Sequence, residues 1–219
     1  MTERRFDLIV FDWDGTLFDS TALIVRCIQD ACRDLGCTVP DERQAAYVIG
    51  LGLEDALESA VPTLPRERYA ELGLRYRQHY FARQHALVLF DGALALLAAL
   101  RARGHRLGVA TGKGHRGLEE ALASAELKGV FDATRTADVT RSKPHPMMLL
   151  ELMAELRVAP GRTLMIGDTT HDLQMAANAG TASVAVGYGA HEAPAFETHR
   201  PLAVAHSMAE LHAWLLDNG

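Results

Sequence analysis

No uninterrupted apolar stretch in these 219 residues approaches the roughly 18 residues of a membrane span. The opening Met1-Thr2-Glu3-Arg4-Arg5-Phe6-Asp7 is charged, and no apolar leader core precedes Asp12. A cytoplasmic protein with no membrane partner is the expectation. Cysteine is scarce, limited to Cys27, Cys32 and Cys37. Their five-residue spacing puts no two on one helix face and matches no zinc pattern, so reduced thiols in or near a core are expected. The ten histidines are scattered, with no pair at metal-ligand spacing. Basic residues are in deficit, Lys+Arg 22 against Asp+Glu 28, and the net charge of −6 argues against nucleic acid as the main partner. Internal repeats and low-complexity segments are absent. What remains is an ordinary globular composition, 48% hydrophobic and 23% charged, long enough for one large domain or one domain with an insertion.

The most informative stretch is Leu8-Ile9-Val10-Phe11-Asp12-Trp13-Asp14-Gly15-Thr16-Leu17. An unbroken apolar run that ends at acids and glycine reads as a strand buried on both faces, the kind found in parallel sheets covered by helices. Ligands of such sheets sit beyond the carboxyl ends of the strands, where Asp12 falls. Asp14 is two residues on, so in an extended chain both carboxylates point to one side. Two carboxylates that close repel unless a cation lies between them, and a hard cation such as Mg²⁺ is the natural partner. An Asp there can act as nucleophile and its neighbour as general acid and base. Gly15-Thr16 would turn the backbone and offer amides and a hydroxyl to an anion.

Along the chain, strand one is expected over Phe6 to Phe11 and a helix over Thr21 to Leu35, with Ser20 or Thr21 as N-cap and Gly36 closing it. Pro40-Asp41 opens a short helix. The turn Gly50-Leu51-Gly52-Leu53 feeds another, and Arg66 to His85 reads as one long helix. The arginines and tyrosines of that last helix are read as a solvated face with aromatics packed inward. No strand pattern occurs between Thr21 and about Val88. Residues 19–89 are therefore read as an all-helical cap inserted into an α/β core made of residues 1–18 and 90–219. Hinges fall near Phe18–Ser20 and Leu89–Gly92, and Asp91 is expected to cap the helix Ala93 to Arg103. The α/β alternation then resumes. Strands are read at His105 to Ala110, Val130 to Asp132, Thr163 to Ile166, Ala182 to Val186 and Leu202 to Ala205. Helices are read at His115 to Ala125, Pro146 to Leu156, Thr169 to Ala179 and Ser207 to Leu216. The fold class is α/β, a doubly wound parallel sheet of Rossmann-like type.

Four signals fall at strand ends or on an adjoining loop: Asp12 with Asp14, Thr111 with Gly112, Lys143, and Asp168 with Asp172. Parallel strand ends converge on one crevice, so these groups are expected to meet. Carboxylates suit Mg²⁺; a hydroxyl, a lysine and amides suit phosphate oxygens. The set fits phosphoryl transfer, where catalysis is mostly positioning and charge stabilisation. Alone, each signal has a plainer reading. Thr111-Gly112 is a strand-to-helix turn, Lys143 a surface lysine, Asp168 a helix cap, and Asp172 a first-turn acid that complements the helix dipole.

Asp12-Trp13-Asp14-Gly15-Thr16, Thr111-Gly112, Ser142-Lys143-Pro144 and Gly167-Asp168-Thr169-Thr170-His171-Asp172 resemble, in order, the four motifs of the haloacid dehalogenase superfamily. The resemblance spans nearly the whole chain. The helical block is similar to that superfamily's first cap class, and Gly50–Leu53 with Ala110-Thr111-Gly112-Lys113 resembles its phosphoglycolate phosphatase-like members. The resemblance implies that Asp12 is nucleophile and Mg²⁺ ligand. It implies that Asp14 protonates the leaving alcohol, activates water and touches the metal through its backbone carbonyl. Asp168 would be the second carboxylate ligand, and Asp172 would hold the metal shell or orient Lys143. Thr111 and the Gly112 amide would bind phosphate oxygens, and Lys143 would neutralise negative charge. Dehalogenases of the superfamily lack the second Asp of the first motif, so Asp14 favours the phosphatases. Asp91-Gly92 stands where many relatives have Pro-Gly.

A Mg²⁺-dependent phosphomonoesterase acting on a small phosphorylated metabolite, as monomer or homodimer, is the leading expectation. Phosphoglycolate comes first as substrate, with a sugar phosphate, pyrophosphate or nucleotide monophosphate fitting the same chemistry. A phosphoglucomutase-type phosphotransferase is the near alternative. A phosphoaspartyl receiver is the distant one, since it needs neither the helical insertion nor an acid such as Asp14.

Overall fold

The computed structural model describes residues 4–86, 88–124 and 126–219. Residues 1–3, 87 and 125 lie outside the described residues, and with Ala125 goes the expected end of the helix from His115. Six parallel strands form one sheet in the order β3-β2-β1-β4-β5-β6. They are β1 (Leu8–Phe11), β2 (Arg106–Thr111), β3 (Ala133–Thr136), β4 (Thr163–Gly167), β5 (Ala182–Val186) and β6 (Val204–Ala205). The order reverses at β1, which lies between β2 and β4 with Leu8 opposite both Arg106 and Thr163. A ligand crevice belongs outside the strand ends at such a reversal.

The apolar run Leu8-Ile9-Val10-Phe11 is buried throughout because both faces of the sheet are covered. On one face Ile9, Phe11, Leu107 and Val109 pack with α5 (Ala93–Ala102), α6 (His115–Leu122) and α9 (Met208–Asn218). On the other, Leu8, Val10 and Ala110 pack with α7 (Met147–Leu156) and α8 (Thr170–Ala179). Trp13 belongs to the first of these cores and stacks on Phe18 with centroids 4.8 Å apart.

Between Ser20 and Val88 the described residues form helices and no strand: α1 (Thr21–Leu35), α2 (Glu42–Tyr47), α3 (Leu53–Ala60) and α4 (Tyr69–Arg83). They have a core of their own, which includes Ile28, Ala31, Leu57 and Leu72. Asp41 caps α2 through a reciprocal box with Gln44. The two chain crossings into this helical unit pair with each other. Phe18 bridges Leu89 in antiparallel fashion, Asp19 N donates to Val88 O at 3.0 Å, and Phe90 N donates to Leu17 O at 2.9 Å.

Several sequence expectations shift. The third strand is Ala133–Thr136, not Val130 to Asp132. Phe131 packs against Trp13 just before that strand. Strand β3 is the sheet edge with β2 as its one partner, so it tolerates polar residues, and Arg135 pairs with Glu151 and Glu155. Asp91 does not cap α5, because Gly92 takes the cap position with φ 88° and no side-chain bond is made. Arg66 to His85 divides into a 3₁₀ turn at Arg66–Arg68, then α4, then a second 3₁₀ turn at Gln84–Ala86. A 3₁₀ segment at Ala193–His199, in a stretch to which the sequence assigns no element, buries Phe196.

Candidate active site

Strand ends bring the expected groups to one place. Asp12 follows β1, Thr111 ends β2, Asp168 follows β4, and Lys143 arrives on the loop before α7. Asp12 and Asp168 are fully buried, as is Asp172 in the first turn of α8, and Lys143 is 2% exposed. Carboxylate oxygens of Asp12, Asp168 and Asp172 all lie within 4.8 Å of one another. The Lys143 ammonium sits between two of them, 2.5 Å from Asp12 Oδ1 and 2.7 Å from Asp172 Oδ1.

Each carboxylate is held by its own local structure. Thr169 caps α8 in a reciprocal box, with Asp172 Oδ2 accepting from Thr169 N at 3.1 Å and Thr169 Oγ1 at 2.7 Å. Asp172 therefore serves the helix with one oxygen and Lys143 with the other. Asp168 does not cap α8. Its Oδ1 accepts from Thr16 Oγ1 at 2.8 Å and its Oδ2 from Ala190 N at 2.7 Å. A Cβ on Gly15 or Gly189 would collide with the Asp168 side chain, so both turns need glycine. Gly15 also takes φ +87°. Oδ2 of Asp12 is buried with no hydrogen-bond partner.

Three carboxylates and one ammonium in a buried site shift one another. Burial raises the Asp12 carboxyl well above its usual range; Lys143 opposes this, and Asp172 and Asp168 add to it. Burial, then Asp172, pushes Asp168 up to about 7. Burial works against the Lys143 ammonium, but Asp12 and Asp172 outweigh it and hold its pKa above the usual lysine value.

Asp14 keeps its carboxylate outside this trio. Oδ1 accepts from the Ser20 hydroxyl at 2.8 Å and lies 3.9 Å from Lys113 Nζ. Lys113 in turn donates to Tyr80 Oη of α4 at 2.5 Å. Asp12, Asp14, Thr111, Gly112 and Lys113 line a cleft of about 620 Å³ between the helical unit and the sheet, with Lys143, Asp168 and Asp172 buried behind Asp12.

Several contacts among the described residues tie the helical unit to this face of the sheet. Gly52 N donates to Ser142 Oγ at 2.8 Å. Gly112 abuts the carbonyls of Gly50 and Leu51, and a Cβ there would overlap both. The Tyr47 carbonyl accepts from His171 Nε2 at 2.8 Å and His191 Nε2 at 3.0 Å. Tyr80 holds Lys113.

Sequence reading missed several of these residues. Of the two cap candidates, Ser20 and Thr21, Ser20 takes the N-cap position of α1, yet it makes no side-chain cap bond and serves Asp14. The Thr16 hydroxyl, read as an anion donor, is spent on Asp168. Lys113 adjoins Thr111-Gly112, which was the one available signal for it. Tyr80 and Ala190 carried none, since only tertiary packing brings them here.

The family model for haloacid dehalogenase-like hydrolases matches residues 9–186, and the chain belongs to that family. Among its relatives is a protein of Dickeya dadantii named "Probable phosphatase IndB", 35% identical over 210 residues, 93% of this chain and 91% of the relative. A phosphoglycolate phosphatase of Yersinia pestis is 31% identical over 209 residues, 93% and 90% of the two chains. The crystal structure of a predicted phosphatase from Clostridium acetobutylicum superposes with a TM-score of 0.85 at 25% identity, covering 97% of this chain and 99% of that one. The chain is thus an enzyme, a phosphatase of the haloacid dehalogenase superfamily.

Proposed function

We propose that this phosphatase is a Mg²⁺-dependent phosphomonoesterase of small metabolites that carries the phosphoryl group on Asp12. The observation that supports it most is the oxygen pair of Asp12. One oxygen is fixed by Lys143 at 2.5 Å; the other is buried without a partner on a residue that lines the cleft. An unpartnered buried oxygen is costly unless something else occupies it in the working state.

The donor set fits a divalent cation. Three carboxylates face one ammonium, which leaves two negative charges uncompensated when all are ionised. Hard oxygen ligands at this density suit Mg²⁺. Asp12, Asp168 and the Asp14 backbone carbonyl would hold the ion, with Asp172 beside them. When bound, the ion supplies charge stabilisation at the phosphate oxygens.

The chain's own groups supply the rest. Lys143 fixes the Asp12 rotamer and offsets charge as the nucleophile approaches the dianion. Asp12 forms a bond to phosphorus as the ester P–O bond breaks, and Asp14 gives its proton to the departing alcohol. Asp14, now ionised, takes a proton from water, whose oxygen attacks phosphorus and frees Asp12. Thr111 and the Gly112 amide would bind the transferring oxygens. Among the described residues no helix is long and apolar enough to cross a membrane, and we infer a cytoplasmic enzyme acting on soluble phosphate esters.

Phosphate release from a panel of metabolite phosphates tests this. Turnover is expected with Mg²⁺ and its loss with chelator, and Asp12→Asn should lower kcat by about 10⁴-fold or more. Mg²⁺ should also raise the melting temperature of the wild type and not that of Asp168→Asn. Wild-type-like turnover from Asp12→Asn would overturn the reading. Formation of a phosphate isomer without free phosphate would replace it with the mutase.

A further inference from the structure

The cleft is much larger than a phosphate and a two-carbon acid require. Its volume of about 620 Å³ falls mid-range among sites that enclose drug-sized ligands, roughly 300–1,000 Å³. Asp12, Thr111 and Gly112 take up one end. The wall from the inserted unit draws on three helices and the segment after α2, and much of it is apolar: Ile24 and Ile28 of α1, Ile49 after α2, Leu53 of α3, and Tyr76 and Tyr80 of α4. The two tyrosines stand one turn apart with rings stacked, centroids 5.9 Å apart and planes at 25°. Lys113 Nζ lies over the Tyr80 ring, 4.4 Å from its centroid, so the aromatic surface left toward the cleft is that of Tyr76.

The charges around the cleft are mostly engaged. Lys113 is bonded to Tyr80 and lies beside Asp14. Arg116 pairs with Glu120 at 3.0 Å. Asp138 accepts from Thr136 Oγ1 and His115 N. Arg77 stands exposed on α4, with Glu54 and Asp55 also lining the cleft. Among the described residues the cleft therefore offers no buried, unmatched cation for a substrate carboxylate. A small acidic leaving group would leave water against apolar walls, whereas a ring would displace it.

Resting on the phosphatase reading, we propose that the leaving alcohol carries a planar, apolar ring that packs against Tyr76 and the isoleucines beside it. Leu53 and Ile24 close over the ring from the neighbouring helices. Selectivity then comes from ring burial in the helical unit, not from charge pairing with a second acid.

Benzyl phosphate and phosphoglycolate isolate the claim. Both present the same CH₂–O–P linkage, and they differ in whether the CH₂ bears a phenyl ring or a carboxylate. With Mg²⁺ and the wild-type chain, kcat/KM is expected to be at least tenfold higher for benzyl phosphate. Equal values, or a preference for phosphoglycolate, would overturn the inference and leave the phosphatase reading standing. No phosphate release from either ester or from the wider panel would overturn both. Leu53→Trp, at the partly exposed first residue of α3, fills the cleft from its apolar side. It should lower the benzyl-to-glycolate ratio of kcat/KM at least fivefold in a variant of native circular dichroism. General damage would lower both values together, and a folded variant with an unchanged ratio counts against the proposal. The wild-type comparison stands without the variant.

Discussion

The Ser20 hydroxyl donates to Oδ1 of Asp14 over 2.8 Å, a bond that a helix N-cap would otherwise have claimed. The residue entering the helical unit thus holds the carboxyl group to which the proposed reaction gives the proton transfers. A hydrogen bond to an ionised group contributes about 1.5–3 kcal/mol. Ser20→Ala should lower kcat about tenfold or more with little change in KM, because Asp14 loses its orientation and the cleft does not. The melting temperature should fall as well, by roughly 2–4 °C for each kcal/mol the bond contributes. An unchanged kcat would show that Asp14 is held adequately without Ser20.

Lys143→Met removes the one cation inside the carboxylate trio. The catalytic loss should reach at least about 10²-fold, the scale seen when one preorganised donor is removed. Without metal the variant should be destabilised by roughly 3–5 kcal/mol, as expected when one partner of a buried pair is deleted. The sign for Mg²⁺ is opposite: with a neighbouring positive charge gone, the ion should bind as tightly as in the wild type or more so. Calorimetric titration with Mg²⁺ checks this, and markedly weaker binding would count against the charge balance described above.

Gly112→Ala tests how the helical unit seats on the sheet. A methyl there would overlap the carbonyls of Gly50 and Leu51. The Gly50–Gly52 turn must then withdraw, which also pulls Gly52 N from Ser142 Oγ. Circular dichroism should stay native while kcat/KM falls at least about 10²-fold, a loss in the range attributed to small misplacements of a site. Retained activity would mean that the turn is not needed in this position.

His105 makes stability depend on pH. It is 3% exposed, its Nδ1 is 3.0 Å from the Phe6 carbonyl, and Nε2 has no partner. Burial lowers its pKa below the ordinary value near 6.5, against the opposing pull of the Phe6 carbonyl. The folded state therefore binds fewer protons than the unfolded state just below about pH 6.5. This contribution is intact above that pH and is lost as pH falls through that window, at up to about 1.4 kcal/mol per pH unit. Melting temperatures between pH 7.5 and 5 should fall less steeply in His105→Gln than in the wild type. Parallel slopes would argue against a neutral buried imidazole.

Much of the layout of the candidate site is legible because it is written in local pattern. The run Leu8–Phe11 can be buried only as a central strand, and acids at strand ends need no long-range knowledge to be noticed. Helix α1 was readable to its ends for the same reason, since its apolar spacing and Gly36 are both local. Strand β3 was not. At an edge, sheet bonding on one side suffices, and the apolar Val130-Phe131 beside it was the stronger signal in the wrong place. The Asp14 partners were hidden for another reason. Ser20 carries the same pattern whether it caps a helix or serves an acid, and Tyr80 reaches Lys113 only because α4 folds back over the sheet.

The ribbon formed where Phe18 meets Leu89 limits how the helices can travel. Two strands bonded to each other at Asp19–Val88 and Leu17–Phe90 bend as one and cannot slide past each other without breaking those bonds. Reorientation about this ribbon would resemble a door on a single pin, swinging on one axis instead of drifting on two loose tethers. Because Ser20 stands right beside that pin, even a modest swing would be felt first at the Asp14 carboxylate.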